Sequence, residues 1–505
     1  MRPTESGRRR RSTSDIVQQP WTPLSNNLPP RELISKDEVS TLHEAALTIL
    51  EEIGILCPVI EVQDLLKKAG ASVGENGLIK TGRDIVAEAL KTVPSEFTLT
   101  PRNEVRSVRV GGTNFTTTAM MGSPACTDMV RGRRSGSLSD MSELLKLTQF
   151  FNIVQMNGWP VEPLDVEVRN RHLEAALATL TLTDKVPYLF CQNKQRIEDV
   201  LTLCAMARGE TLEEFGQRPG VFSIINTNTP LQYDVPMAIG VVEMARHGQP
   251  TLITPFVLAG ASTPATMASA MALTHAEVLF GVVLSQMVRK GAPVVYGCAS
   301  LNVDMRTGAP AYGMSDLMRG HIIAGQMARH CNMPLRTSNF SSSNIPDYAS
   351  GYESAQSVQS SLAARTSLLM HGAGWVEGGL CCSYEKFVLD CEIMQSAAHA
   401  IQPVIVNDDT LALDEIREIG PGGHFFGSAR TLATVETAFY RPMVSITQNY
   451  GAWMEAGGKD SAQRATAIWQ HALSIYEEPQ MDAARKEQLR EFVGRRKAEG
   501  GAPLD

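Results

Sequence analysis

The sequence predicts an α/β protein built on a (β/α)8 TIM barrel, with a helical and β extension before the barrel and helices after it. Seven apolar, strand-like runs occur from residue 152 onward, and a segment with helical periodicity follows each of them. The starts of these runs are 29 to 42 residues apart, which is the period of βα units in a parallel sheet. Seven such units favour a closed barrel over an open, doubly wound sheet. The runs begin at Asn152, Val186, Val221, Pro250, Ala292, Met333 and Ser367.

The eighth strand has two candidates, residues 116–124 and residues 403–408. Order is expected to begin at Ser35, because Ser35 and Glu38 have the spacing of a helix capping box. Composition and periodicity then divide the chain into a solvated, disordered basic arm, an extension packed on the barrel, the barrel itself, and C-terminal helices. These parts cover residues 1–30, 31–150, 151–440 and 441–505.

Composition indicates a globular, mildly acidic enzyme. The 505 residues are 43% hydrophobic and 20% charged, and a formal charge of −8 argues against nucleic acid as the main partner. The nine cysteines show no CxxC spacing, so neither a disulfide framework nor a zinc ribbon is indicated, and a reducing, cytoplasmic location is expected. No stretch reaches the roughly 18 uninterrupted apolar residues of a membrane helix. The RRRR run at 8–11 is interpreted as part of the solvated arm, with an arm that binds nucleic acid as the alternative.

The predicted strands end in small, amide and hydroxyl residues. The segment MPLRTSNFSSSN at 333–344 begins like a buried strand and ends in serine and asparagine, with only Phe340 between them. Active sites of barrels lie at the carboxyl ends of the strands. A single polar end is compatible with a solvated loop, but six of them predict a shared pocket. The six ends are residues 192–193, 226–228, 259–262, 298–302, 339–344 and 371–377.

Motifs of metal, nucleophilic or acid–base chemistry are missing from these ends. They contain no HExxH, no GxSxG and no closely spaced pair of carboxylates. Lys194 and Lys386 lie in polar or helical surroundings, which argues against a Schiff base. The GPGGHFFG segment at 420–427 has the glycines of an anion-binding turn without the Lys-Ser/Thr of a P-loop, and a purely structural turn is the alternative.

Aromatic residues cluster near the later strand ends. A cavity lined by ring faces and carrying little formal charge suits a quaternary ammonium group, which cation–π attraction holds by about 2 kcal/mol when desolvated. Packing of a ring beneath a helix is the alternative for each of them, and it has equal weight for Tyr348, Tyr352 and Tyr384. The rings are Tyr296, Tyr312, Phe340, Tyr348, Tyr352, Trp375 and Tyr384.

Several longer segments resemble the trimethylamine methyltransferase family, and together they extend over roughly residues 35–500. This resemblance implies a (β/α)8 barrel that demethylates methylamines or betaines and passes the methyl group to the cobalt of a separate, cobalamin-carrying corrinoid protein. The segments are RNRHLEAALATLTLTDK at 169–185, PLQYD at 230–234, IPDYASGYES at 345–354, HGAGWVEGGLCCSYEKFVLDCEI at 371–393, and GPGGHFFG leading to YGAWMEAGGKDSAQRA at 450–465.

The resemblance also bears on the serine-rich strand end. The trimethylamine enzymes of this family carry a pyrrolysine near the sixth strand, in the neighbourhood of residues 339–344, where this sequence has only ordinary residues. The chain is therefore similar to the pyrrolysine-free branch, which includes glycine betaine methyltransferases. A quaternary ammonium already carries a neutral leaving group, so such a protein needs to position its substrate rather than supply an acid, a base or a nucleophile.

These observations lead to one main prediction, a methyltransferase that moves a methyl group from a glycine betaine-like quaternary amine to a separate corrinoid protein. No catalytic side chain and no tightly bound metal are expected. A phosphate-binding barrel isomerase or aldolase, and a non-catalytic betaine-binding module, are the alternatives. The predicted substrate-binding residues are Phe340, Trp375, His371, Tyr296, Tyr348, Tyr352, Glu377 and Asn226, and the predicted cofactor-binding residues are Gly422, Gly423 and His424.

The carboxylate of a betaine needs a partner of its own. Candidates are His371, Arg336 and the backbone N–H groups of the glycine-rich turns at 372–374 and 422–423. Arg336 lies early on its strand, and a structural ion pair is the expected role for it. The sequence contains no corrinoid-binding domain, so a partner protein must carry the corrinoid, and the C-terminal helices are candidate material for a homo-oligomer interface.

Overall fold

The computed structural model describes residues 16–191, 193–299 and 301–503. Within these residues the fold is mixed α/β, and its centre is a seven-stranded sheet in which six strands run parallel. The parallel sheet predicted from the βα rhythm is thereby confirmed. The RRRR run of the basic arm, Gln192 and Ser300 lie outside the described residues.

A small layer of helices and hairpins precedes the sheet. Ser35 caps the first helix and Glu38 bonds back to it, so the predicted capping box is confirmed. The elements are β1 (Leu24–Ser25), α1 (Lys36–Thr48), a π-helical turn (Ile49–Ile53), β2 (Ile55–Leu56), α2 (Ile60–Lys68), β3 (Ser72–Val73), β4 (Leu78–Lys80), α3 (Arg83–Leu90), β5 (Glu96–Leu99), a 3-10 turn (Glu104–Arg106) and β6 (Val108–Gly111).

Strands and helices of the central sheet occupy residues 114 to 400, and from residue 223 onward they largely alternate. The elements are β7 (Asn114–Ala119), β8 (Ala125–Thr127), β9 (Arg134–Ser135), α4 (Leu138–Phe150), α5 (Val168–Leu182), α6 (Lys194–Arg208), α7 (Leu212–Phe215), β10 (Ser223–Ile225), α8 (Val235–Arg246), β11 (Thr251–Ile253), β12 (Leu258–Ala259), α9 (Met267–Val288), β13 (Val294–Gly297), β14 (Leu301–Asn302), α10 (Ser315–His330), β15 (Leu335–Ser338), α11 (Tyr348–Ala363), β16 (Leu368–Ala373), β17 (Trp375–Val376), a 3-10 turn (Glu377–Gly379), β18 (Cys381–Ser383) and α12 (Tyr384–Ala400).

The sheet has the spatial order β1-β7-β16-β15-β13-β11-β10. From β10 to β16 each strand lies beside the next one in the chain, as successive βα units require. Single parallel bridges continue the pairing beyond the named strands: Thr118 pairs with Met156, Met156 with Val186, and Tyr188 with Phe222. Because the strands are parallel, their carboxyl ends meet at one edge of the sheet.

Of the two candidates for the eighth strand, the segment at 116–124 contributes to the sheet, because β7 pairs with β16. Residues 403–408 form no strand. The parallel part of the sheet thus begins inside the segment 31–150, which was expected to be an extension packed on the barrel. The signal was weak because the centre of β7 is Thr116, Thr117 and Thr118, whose hydroxyl groups interrupt the apolar run although all three are buried.

Residues 16–30 were expected in the solvated arm, but they lie against the sheet. β1 pairs antiparallel with β7. The Asn26 side chain donates to the carbonyl of Leu362 over 2.8 Å, and the Gln19 backbone donates to the Gln395 side chain over 2.9 Å. Side-chain and backbone groups of this stretch thus bond it to the domain.

The helix α9 is the central helix of the outer layer. Met267–Val288 is long and apolar enough to cross a membrane, but 83% of its apolar window is buried inside the protein. It packs against α1, α2, α3, α8 and α10. Burial by other helices accounts for its composition.

The chain after α12 contains four short helices and then two longer ones. The first of the longer helices packs along α12 and α4, with Trp469 against the ring of Tyr384. Asp482 caps the last helix. The elements are α13 (Asp408–Leu411), α14 (Leu413–Ile419), α15 (Ala429–Thr434), α16 (Tyr450–Glu455), α17 (Ser461–Ser474) and α18 (Ala483–Ala498).

His321 is a fully buried histidine between α10 and the sheet. Its Nδ1 lies 3.0 Å from the Ser360 hydroxyl, and its Nε2 has no hydrogen-bond partner among the described residues. Burial, helped by the nearby charge of Arg336, lowers the pKa of His321 to about 3. The folded protein therefore keeps this imidazole neutral, whereas the unfolded chain protonates it at about pH 6.5.

Replacing His321→Gln should flatten the acid side of the stability profile. Below pH 6.5 the unfolded chain binds a proton that the folded chain does not, so wild-type stability falls by about 1.4 kcal/mol per pH unit from this group. Urea unfolding at pH 7.0 and 5.5 should show the variant losing about 1.4 kcal/mol less than wild type. The exposed His424→Gln is the control, and equal losses in wild type and H321Q would contradict the assignment.

Candidate active site

A cavity of about 500 Å3 opens at the carboxyl edge of the parallel sheet, where the polar strand ends predicted a pocket. Ile224 of β10, Arg336 of β15 and His371 of β16 reach it from within the strands. Phe256 and Phe340 reach it from the loops that follow β11 and β15. Its volume is in the range of small-molecule sites.

Aromatic rings form one wall of this cavity. The ring centroids of Phe340 and Trp375 lie 4.6 Å apart, and those of His371 and Trp375 lie 4.7 Å apart. Tyr312 packs behind them, 5.1 Å from Phe340 and 5.7 Å from Trp375, and Phe256 stacks on Tyr312 at 6.2 Å. These separations are those of interacting aromatic pairs, so the rings support one another in fixed orientations.

Trp375 is held from three sides. Its Nε1 donates to the carbonyl of Ser341 over 3.1 Å. A Cβ atom on Gly379, which has φ +98°, would lie 2.5 Å from the indole, so only glycine fits at that position. The preceding Gly374 donates its N–H to Asp390 over 2.9 Å, and Asp390 forms a buried ion pair with Lys386. Lys386 thus supports the turn that carries the ring and does not reach the cavity.

The serine-rich strand end is organised by one buried carboxylate. The Ser341 hydroxyl donates to Glu353 of α11 over 2.5 Å, and the backbone N–H groups of Ser342 and Ser343 donate to it over 3.0 and 3.2 Å. Asn339 donates from its side chain to the Gly372 carbonyl over 2.9 Å. The hydroxyl and amide groups of 339–343 therefore fix the loop that holds Trp375.

Arg336 is a buried cation without a carboxylate partner. It is 1% exposed, its Nη1 donates to the Cys298 carbonyl over 3.4 Å, and its Nη2 lies 3.3 Å from Nδ1 of His371. Its Nε has no hydrogen-bond partner, and no acidic side chain among the described residues pairs with it. The expected structural ion pair is therefore not found. Burial lowers the pKa of Arg336 to about 9, which leaves it charged at neutral pH.

His371 is a neutral imidazole beside this guanidinium. Burial and the charge of Arg336 hold the pKa of His371 well below its usual range. Since an arginine N–H can only donate, Nδ1 of His371 accepts from Arg336, and the ring proton belongs on Nε2. The Ser338 hydroxyl lies 3.2 Å from the same Nδ1. The tautomer leaves an Nε2–H group available to donate to a ligand.

The loop after β10 is tied to the buried carboxyl of Glu277 on α9. The Thr229 hydroxyl and the Leu231 N–H donate to Glu277 over 2.8 and 2.7 Å, and Thr227 bonds to it as well. Burial raises the pKa of Glu277. This network holds the PLQYD turn at 230–234 against α9, and it fixes the loop that carries Asn226 to the cavity.

The described lining residues include no carboxylate, no lysine and no cysteine. Their titratable groups are Arg336, the neutral His371 and Tyr188, whose pKa is raised by burial. Such a lining binds and orients a ligand but offers no ionised base or nucleophile at neutral pH. The arrangement suits a substrate that reacts without proton transfer from the protein.

Four of the predicted substrate-binding residues line the cavity together, namely Phe340, Trp375, His371 and Asn226. Tyr296 does not. In a strand, alternate side chains face opposite sides, and Tyr296 of β13 faces the helices, where its hydroxyl lies 3.1 Å from Nδ1 of His275.

The remaining predicted residues lie outside the cavity lining. Tyr348 and Tyr352 stack on each other at the exposed start of α11, and Tyr348 is 85% exposed. Glu377 turns outward and pairs with Arg133 over 2.9 Å. The predicted cofactor-binding residues also lie outside, because the chain after α12 carries them on an exposed turn; they are Gly422, Gly423 and His424.

A structural ion pair was expected for Arg336, and none is found among the described residues. Tyr188, Phe190 and Phe256, which also line the cavity, were not predicted. The alternation along β15 contains the missing signal. Leu335 packs among the helices, so the next residue, Arg336, must point to the opposite side of the strand, toward the cavity. The three rings lie within the earlier strand-like runs, which begin at Val186 and Pro250, whereas only the later runs were considered rich in aromatic residues.

A sequence model of the family described as trimethylamine methyltransferase (MTTB) matches residues 2–501. A glycine betaine methyltransferase of Desulfitobacterium hafniense (strain Y51) is 31% identical over 476 residues, which cover 94% of this chain and 99% of that protein. The trimethylamine methyltransferase MttB of Desulfitobacterium hafniense (strain DSM 10664 / DCB-2) is 27% identical over 454 residues, with 88% and 89% covered. The solved monomethylamine methyltransferase (MtmB) of Methanosarcina barkeri covers 91% of this chain and 88% of that chain at TM-score 0.47 and 12% identity, a similarity too low to support an argument.

The family match spans nearly the whole chain, and the first of these relatives shares more than 30% of its residues. These findings favour methyl transfer over a phosphate-binding isomerase and over a non-catalytic binding module. The chain therefore belongs to the trimethylamine methyltransferase family and is a methyltransferase.

Proposed function

We propose that this chain transfers a methyl group from a zwitterionic quaternary amine, such as glycine betaine, to the cobalt of a separate corrinoid protein. The observation that carries the proposal is a ring-walled cavity with one buried guanidinium and no carboxylate among its described lining residues. Such a lining has a place for a cation and a place for an anion. Membership of the family and the name of the glycine betaine relative support the same substrate class.

The ammonium end of the substrate would lie against Trp375 and Phe340. A quaternary ammonium cannot donate hydrogen bonds, so ring faces are its best partners, and each desolvated contact is worth about 2 kcal/mol. The 4.6 Å spacing of these two rings and their fixed neighbours means that little ordering is needed on binding.

The carboxylate end would lie against Arg336 and His371. Among the described residues, no acceptor is bonded to Nε of Arg336, and the tautomer of His371 places a second donor, Nε2–H, beside it. A carboxylate there would neutralise a charge that is otherwise buried and unpaired. This pairing fixes which way round the substrate lies and so which methyl group faces the opening.

The transfer itself needs no acid or base from the cavity. The C–N bond breaks with its electron pair going to nitrogen, so glycine betaine leaves as the dimethylglycine anion, with a neutral amine and its carboxylate, and takes up a proton from water after release. The reduced corrinoid of a partner would supply the nucleophilic cobalt that accepts the methyl group. Phe190 and Leu380 line the cavity and are also exposed, which makes an apolar rim suited to a docked partner.

We further propose that the sheet closes into a (β/α)8 barrel. The bridges at Thr118, Met156 and Val186 and the bridge between Tyr188 and Phe222 support this, because they connect β7 to β10 through two additional strand segments. Eight segments then surround the cavity floor. All nine cysteines are buried and the sequence has no CxxC spacing, which supports work in the reducing cytoplasm.

Incubation with glycine betaine and a reduced corrinoid protein should form dimethylglycine, measured by mass spectrometry, together with a change in corrinoid absorbance. Omission of the chain is the control for spontaneous methyl transfer. Dimethylglycine should form in proportion to the corrinoid supplied. Binding of betaines without any demethylated product, across a panel that includes carnitine and proline betaine, would instead support a binding module.

Replacing Arg336→Met should weaken glycine betaine binding about 10- to 100-fold, because charge-assisted hydrogen bonds contribute about 1.5–3 kcal/mol. Tetramethylammonium has the same cationic head and no carboxylate, so its affinity should change by less than about threefold. Calorimetric titration of both ligands into both proteins measures the difference. Equal losses for the two ligands would show that the substitution damages the cavity as a whole.

Replacing Trp375→Leu should weaken glycine betaine binding about 5- to 30-fold, since the apolar contact remains but the cation–π attraction of about 1–2 kcal/mol is lost. The matched control is a ligand, tert-butylacetate, in which carbon replaces the ammonium nitrogen. Its affinity should be nearly the same in wild type and W375L. This ligand keeps the carboxylate but has an uncharged head group. A parallel loss of its affinity would argue for a steric role of the indole.

A further inference from the structure

Two histidines and a cysteine meet outside the cavity, between the first helix and the outer helical layer. They are His43 of α1, His275 of α9 and Cys331, which directly follows α10. One ring nitrogen of each histidine and the Sγ of Cys331 all lie within 4.8 Å of one another. None of the three is among the described residues that line the cavity, so substrate binding does not account for them.

His275 is the member of this cluster that most needs an explanation. The helix α9 carries two ionisable side chains, which are His275 and Glu277, and Glu277 holds the loop after β10. His275 is fully buried. Its Nδ1 lies 3.1 Å from the Tyr296 hydroxyl, and its Nε2 lies 2.8 Å from Nδ1 of His43. One nitrogen of this buried imidazole thus faces the sheet, and the other faces the cluster.

The contacts of His275 are those of a histidine that binds a metal ion. A ligating histidine donates the N–H of its second ring nitrogen to an acceptor, which fixes the tautomer and leaves the other nitrogen for the ion. The Tyr296 hydroxyl is such an acceptor for Nδ1–H of His275. The lone pair of Nε2 is then directed into the cluster, where Nδ1 of His43 lies. This arrangement also gives a role to Tyr296, which does not reach the cavity.

The spacing of the three groups is close to that of a tetrahedral metal site. With bonds of about 2.0 Å to nitrogen and about 2.3 Å to sulfur, the ligand atoms around a zinc ion lie about 3.3–3.6 Å apart. The 2.8 Å contact between the two imidazoles is a hydrogen bond, so an ion would separate the rings by about 0.5 Å. On binding, the shared ring proton moves to Nε2 of His43, and the thiol of Cys331 gives its proton to water.

The open side of the cluster faces His330. Its ring centroid lies 4.9 Å from that of His43, and the residue is exposed. An ion can therefore enter from solvent, and His330 or a water molecule completes the fourth position. Two imidazoles and a thiolate suit zinc and similar transition-metal ions, whereas magnesium and calcium prefer oxygen ligands.

We propose that His43, His275 and Cys331 bind one zinc-like divalent metal ion. The ion would join α1 to α9 and α10, which α1 already contacts, and so fasten the N-terminal layer to the central domain. No tightly bound metal was expected from the sequence, because the ligands come from three separate segments, and His43 and His275 are 232 residues apart. The site is separate from the cavity, so the proposal does not depend on the identity of the methyl donor.

The test is zinc binding by the full chain after treatment with a chelator and a thiol reductant. Equilibrium dialysis against zinc, followed by elemental analysis, should find one tightly bound ion per chain. Replacing Cys331→Ser should weaken this binding by more than about 100-fold, because loss of even an outer partner of a ligand costs about 10- to 100-fold. The matched control Cys204→Ser, at a buried cysteine outside the cluster, should leave the zinc affinity unchanged.

Cobalt(II) absorption of the wild type keeps the proposal testable if the variant does not fold. The bound ion should show the d–d bands of a four-coordinate site and a thiolate-to-cobalt charge-transfer band, which requires a cysteine ligand. Added zinc should displace the cobalt and abolish both. A wild-type chain that retains no zinc on dialysis would overturn the proposal, as would cobalt bound without the charge-transfer band, or equal zinc affinity in C331S and wild type.

Discussion

A guanidinium that is buried without a counter-ion among the described residues is the constraint on which the rest of the site depends. Taking a charge out of water is costly, and proteins normally offset that cost with a carboxylate. Arg336 instead has two weak acceptors, a backbone carbonyl and the Nδ1 of His371. Under the proposed function, the anion that would balance this charge is the carboxylate of the substrate. The neutral form of His371 and the absence of acids from the described lining follow from the same arrangement.

The other buried charges around the cavity are satisfied and serve as supports. Lys386 pairs with Asp390 behind the turn of Trp375, Glu353 collects the donors of the serine-rich loop, and Glu277 collects those of the loop after β10. Each network joins a helix of the outer layer to a strand end. The rings and the guanidinium are thus held by the frame, which is what precise positioning of a substrate requires.

Sequence periodicity was sufficient to predict the parallel sheet and the start of most of its strands. It was insufficient to predict which side of the sheet each side chain faces. Alternate residues of a strand face opposite sides, so an error of one residue in the position of the strand reverses the prediction. Tyr296 was expected to bind the substrate, but it faces the helices. Arg336 was expected to form a structural ion pair, but it lines the cavity. The threonines of β7 interrupt its apolar run and made this strand hard to recognise. The rings of Tyr348 and Tyr352 lie on the first turns of α11 and not in the loop that ends β15. Tertiary packing, which local patterns do not encode, decided each of these cases.

The two halves of the binding lining belong to different strands of one rigid sheet. Arg336 is part of β15, whereas Trp375 follows β16, and backbone pairing joins these two strands. The distance between the anionic and cationic subsites is therefore set by the spacing of the backbone and not by flexible side chains. Under the proposed function, such a site would measure the length of a zwitterion and would sort homologous betaines by the number of carbons between their charges.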